Sequence, residues 1–122
     1  MTRQDWKTFT ATMADHYGID KYFALAVAAT ESGKGDRLFR FGKAGRYHLP
    51  WGINEYVVKD RGWPVQDIYV QTEVAIRAIA RWKRRTGSLR KAMAKYNASF
   101  NMAYWRRIKE LEAQFRQERI FD

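Results

Sequence analysis

The stretch DKYFALAVAATESG, Asp20 to Gly33, decides how the rest of the chain is read. Asp20 is a good N-cap, because its side chain can accept the backbone N–H groups that a helix start leaves unpaired. Alanines and large apolar residues from Tyr22 to Ala29 then face nearly every direction, the pattern of a helix buried on all sides. Glu31 lies one turn beyond Val27 and Ala28 and two turns beyond Ala24, so it continues an apolar face. Burial penalises an ionised carboxylate there, and the negative end of the helix dipole adds about 0.3–1 kcal/mol when exposed. Raising a glutamate from about 4.3 to about 6 needs only about 2 kcal/mol of such bias. A carboxyl still protonated near neutral pH can donate a proton to a leaving oxygen. The alternative is that Glu31 turns outward and pairs with Lys34 or Arg37.

Helical spacing continues on both sides. Trp6, Phe9, Met13 and Tyr17 predict a first helix with one apolar stripe, ended by Gly18. "DIYVQTEVAIRAIARWKRRTG" predicts a long helix with Val70, Val74, Ala78 and Trp82 on its apolar side and Gly87 just past its end. Ser88 caps a short helix, "LRKAMAKYN", whose Leu89, Ala92, Met93 and Tyr96 share a face. The last helix, from about Asn101, sets Trp105, Ile108, Leu111, Phe115 and Arg119 along one side. Between Gly33 and Trp63 the texture is glycine, arginine and aromatics. "LFRFGKAGRYHL" suits a β-hairpin or an ordered loop, and "NEYVVKDRG" a short helix ended by Gly62. The fold expected is mostly α: one domain over residues 1–122 with five to six helices and a short irregular or β-hairpin segment near residues 38–50.

With 122 residues, 46% of them hydrophobic, the chain can bury one core but hardly two. It has no cysteine, which excludes disulfides, thiolate metal sites and cysteine nucleophiles. His16 and His48 are too few for most zinc sites, so no metal is expected. "YFALAVAA" is far shorter than the roughly 18 apolar residues of a membrane helix. The first twenty residues lack the apolar core of a signal peptide, so an unaided export route is not expected. Twenty-three Lys and Arg against thirteen Asp and Glu leave +10, a field that gathers polyanions.

"AATESG", then "LPWGINEY", then "SLRKAMAKYNAS" resembles, in order and spacing, the lytic transglycosylase family related to goose-type lysozymes. Members show a helix ending in Glu-Ser-Gly, a Gly-Pro-Phe-Gln-Ile-Asn or Gly-Leu-Met-Gln-Ile stretch, and an Ala-Tyr-Asn-Ala-Gly stretch. The resemblance spans about Tyr17 to Asn97 and implies a lysozyme-like fold. It implies that Glu31 is the single catalytic acid and base, with Ser32 beside it. Pro50, Ile53 and Asn54 match the middle motif, with Trp51 at its large apolar position, and Tyr96 and Asn97 match the residues that line the sugar cleft. On their own residue types Tyr96 also suits the core, Asn97 a helix C-cap and Trp51 packing beside a proline. The motif's glutamine is Gly52 here, the glycine before its proline is Leu49, and Ser99 or Phe100 stands where the last motif often has glycine.

The implied substrate is the β-1,4 bond between N-acetylmuramic acid and N-acetylglucosamine, cleaved without a cofactor to a 1,6-anhydro product. Tyr47, Trp51, Trp63 and Tyr96 are candidate surfaces for sugar rings. A hydrolytic lysozyme is the nearest rival and needs a second carboxylate, about 6.5–9.5 Å away in an inverting enzyme. Asp36, Glu55 and Glu73 are its candidates. A basic module that binds nucleic acid is a further alternative, suggested by "RWKRR" and by arginines interleaved with Phe39, Phe41 and Tyr47. It is disfavoured because it leaves the ordered motifs unexplained. A non-catalytic glycan-binding relative is another. The expected partners are peptidoglycan strands and a phage lysis, virion or secretion-system component that delivers the protein to the periplasmic or external wall; otherwise it stays cytoplasmic. No membrane insertion is expected.

Overall fold

A computed structural model of the chain describes residues 3–32, 43–44, 47–48, 53–54, 68–97 and 99–121. The described part is mostly helical: α1 (Arg3–Tyr17), α2 (Lys21–Ser32), α3 (Ile68–Thr86), α4 (Leu89–Tyr96) and α5 (Met102–Gln117). Three two-residue strands, β1 (Lys43–Ala44), β2 (Tyr47–His48) and β3 (Ile53–Asn54), pair antiparallel in that order. Their register sets Ala44 opposite Tyr47, Tyr47 opposite Asn54 and His48 opposite Ile53. Of the short helix expected over 54–62, only Asn54 lies among the described residues, and it is in β3 instead.

Local chemistry sets the helix ends. Gly18 takes φ +72, a left-handed conformation open to glycine at little cost, and lets the chain turn from α1 into α2. The Asp20 carboxylate accepts the N–H groups of Tyr22 and Phe23 at 2.8 and 3.2 Å. Gly87 (φ +80) and the Ser88 cap, which accepts the Lys91 N–H at 3.0 Å, turn the chain between α3 and α4. Arg119, expected on the last helix face, lies past the end of α5 with φ 51 and is exposed. There it serves the left-handed turn, in which the Ile120 N–H returns to the Phe115 carbonyl at 3.2 Å.

Every residue of α2 from Tyr22 to Ala29 is buried, and α2 packs against α1 and, most extensively, α5. Its alanines let those helices approach while Phe23, Leu25 and Val27 fill the space between them, each such side chain contributing about 1.5–3 kcal/mol. α1 packs in turn on α3, and α3 on α4. The buried face of α3 is not the stripe Val70, Val74, Ala78, Trp82, all of which are only partly buried. It is turned by about one residue step and consists of Gln71, Thr72, Ala75, Ile76, Ile79 and Ala80. Of its two polar residues, Thr72 lies inside because the Trp6 indole N–H on α1 donates to its Oγ1 at 2.8 Å, which satisfies a buried donor and acceptor together. Similarly, Thr10 is buried with its hydroxyl donating to the Trp6 carbonyl at 2.8 Å.

Candidate active site

The packing series α5, α2, α1, α3, α4 is tied end to end at Glu31. This glutamate is the penultimate residue of α2 and is only partly exposed. Its Oε1 accepts the Tyr104 hydroxyl from α5 at 2.5 Å and the Asn97 amide from the end of α4 at 3.2 Å.

Both donors are set by backbone geometry. Asn97 is the C-cap of α4, its own N–H returning to the Met93 carbonyl at 2.9 Å. Its Oδ1 accepts the Ser99 N–H at 2.8 Å, which turns Nδ2 toward Glu31. Asn97 is therefore both a helix cap and a ligand of the acid. Asn101 N-caps α5, its Oδ1 accepting the Tyr104 N–H at 2.8 Å, and so fixes the first turn from which the phenol reaches Glu31. Phe100 packs on the Tyr104 ring with centroids 5.8 Å apart.

Burial raises the Glu31 pKa above the ordinary carboxylate value, and the hydrogen bonds from Tyr104 and Asn97 offset only part of the rise. Burial, reinforced by the negative charge that Glu31 can carry, raises the Tyr104 phenol as well, so it remains a donor. Tyr96, mostly buried beside them, is raised for the same reasons, burial first and Glu31 second. Two donors occupy the lone pairs of Oε1, so the proton of the neutral acid resides on Oε2. After that proton leaves, the same donors stabilise the carboxylate.

Glu31, Tyr96 and Asn97, assigned from the sequence, thus meet in one place. Ser32 closes α2, Tyr47 is in β2, and Ile53 and Asn54 are in β3, where the register sets Tyr47 against Asn54. Trp51, Trp63, Leu49, Pro50 and Gly52 lie outside the described residues, as do Asp36 and Glu55. Glu73, the third candidate for a second carboxylate, accepts the Tyr17 hydroxyl of α1 at 3.4 Å. Among the described residues, the groups that act on Glu31 are Tyr104 and Asn97, and neither is a carboxylate. Nor does any cluster of three or more His, Asp or Glu among them suit a metal ion.

Tyr104 and Asn101 are the residues that sequence reasoning missed. The signal was present: Tyr104, Ile108, Leu111 and Phe115 follow the 4-3-4 spacing of a buried helix stripe, and a tyrosine on such a stripe needs a partner for its hydroxyl. Asn101 three residues before Tyr104 is likewise a legible cap. Comparison with family models, curated proteins and solved structures finds no significant match to this chain.

Proposed function

We propose that the chain is a lytic transglycosylase of lysozyme-like fold that cleaves the β-1,4 bond between N-acetylmuramic acid and N-acetylglucosamine. The observation that carries this reading is the half-buried Glu31 at the end of α2, where burial raises its pKa and Tyr104 and Asn97 both donate to its Oε1. The Oε2 proton passes to the glycosidic oxygen as the C1–O bond breaks, and the leaving sugar departs with a new hydroxyl. The carboxylate, held by Tyr104 and Asn97, then takes the proton of the muramoyl 6-hydroxyl as its oxygen bonds to C1. The product is the 1,6-anhydro sugar, water is not consumed, and Glu31 is again protonated. A single carboxyl group suffices, unlike the paired carboxylates of most glycosidases. Of the candidate second carboxylates that hydrolysis would need, Glu73 accepts the Tyr17 hydroxyl of α1 instead, and Asp36 and Glu55 lie outside the described residues.

The reading needs neither metal nor organic cofactor. No helix among the described residues is long and apolar enough to cross a membrane. Delivery to the wall by a partner from a phage or a secretion system is part of the proposal. Digestion of purified peptidoglycan, with soluble fragments resolved by mass spectrometry, is the test. Anhydromuramoyl ends are expected. Reducing ends would make the protein a hydrolase, and no release at all would leave Glu31 a binding or structural group.

A further inference from the structure

Between Glu73 and Glu110 the sequence carries eleven lysines and arginines and no acid, more positive charge than the +10 of the whole chain. Eight of these cations lie on α3 and α4, which pack together, and all eight are exposed. Among the described residues none of the eight has a carboxylate partner. Arg85 and Lys95 converge on the Trp82 ring, 5.6 and 5.7 Å from its centroid, joining the two helices into one positive surface.

Helix stability does not account for the arrangement. Lys83, Arg84 and Arg85 suit the negative end of α3, but Arg90 and Lys91 occupy the first turn of α4, where the dipole disfavours cations and no acid compensates. A membrane partner fits poorly, because the one exposed large apolar side chain among the described residues is Met102, on α5. α4 also runs from the basic corner to Asn97, which holds Glu31. Its eight residues span about 12 Å, so a polymer laid along its outer face from that corner ends beside the acid.

We infer that the outward face of α3 and α4 is a second, electrostatic binding surface that seats the acidic peptide branches of peptidoglycan and holds the protein on the wall. The inference rests on the transglycosylase reading for its polymer. Its test separates binding from cutting. The charge variant Arg84→Gln/Arg85→Gln/Arg90→Gln/Lys91→Gln is compared with the unaltered face, both in a Glu31→Gln background, by pelleting with purified sacculi. Retention is expected to fall roughly tenfold in the charge variant, and for the unaltered face to fall steeply from about 0.05 to about 0.3 M salt. Thermal melting of the charge variant should be unchanged or higher. Equal retention of the two proteins would overturn the surface, even if the wild type cuts sacculi. So would tighter binding of an oligonucleotide or an anionic vesicle than of sacculi. Charge-dependent retention by a wild type that cuts nothing would sustain the surface and sink the transglycosylase instead.

Discussion

Asp20 and Glu31 stand at opposite ends of α2, and the same helix treats the two carboxylates in opposite ways. At the N-terminal end, partial burial alone would raise the Asp20 pKa, but Arg116 at 3.0 Å and the N–H groups of Tyr22 and Phe23 prevail and lower it. At the C-terminal end no cation among the described groups acts on Glu31, burial prevails over two neutral donors, and the pKa rises. The difference teaches that distance into the fold does not set an acid's role by itself. What matters is whether its neighbours are charged, and which end of the helix dipole it meets.

The sharpest way to break the contrast is Glu31→Gln. If Glu31 is the general acid, release of anhydromuropeptides should fall by about 10²–10⁴, measured by mass spectrometry of digested sacculi. The folded protein should not suffer near neutral pH. Glu31 has a folded pKa above its unfolded one, so its contribution to wild-type stability is complete below the unfolded value and is lost as pH rises through the folded value. Glutamine does not titrate, and the stability difference in urea melts should shift in the variant's favour across that window. A difference that stays flat with pH would remove the raised acid.

A smaller effect is expected from Tyr104→Phe. It deletes a hydrogen bond to the carboxylate, of a kind worth about 1.5–3 kcal/mol, and should slow turnover by roughly tenfold or more. With that donor gone, Glu31 holds its proton to higher pH, and the alkaline limb of the pH–rate profile should move up. An unchanged limb would make Tyr104 a packing residue only. Asp20→Ala should change activity least. It removes a cap and should cost about 1 kcal/mol of stability near neutral pH. Because the folded Asp20 pKa is lowered, the charged group's contribution is present above its unfolded value and is lost as pH falls through the folded one. Denaturant melts in acid and at neutral pH should therefore converge for wild type and variant.

Much of the α2 end of this comparison is legible in the sequence, because Gly18, Asp20, the run Tyr22–Ala29 and Glu31 each act locally and on one helix. Ser88 and Gly87 are legible for the same reason. The buried side of α3 is not, since Thr72 is polar by itself and becomes a core residue only when Trp6, 66 positions away, donates to it. Tyr104 lies on a readable stripe, but its bond to a glutamate 73 residues earlier depends on how α5 lies on α2. In the aromatic and glycine-rich middle the residues allow a hairpin, an ordered loop or a short helix without deciding among them; there the described residues amount to three short strands.

The complete burial of Tyr22–Ala29 has a further consequence, for hydrogen exchange. Amides enclosed on every side can exchange with solvent only when the domain opens as a whole, so those of α2 should be the slowest in the chain. Glu31 is anchored to that slow unit at its own helix end and to α4 and α5 through Asn97 and Tyr104. Fraying of α1, or of the turn after α5, should come and go many times without disturbing the position of the Glu31 carboxyl.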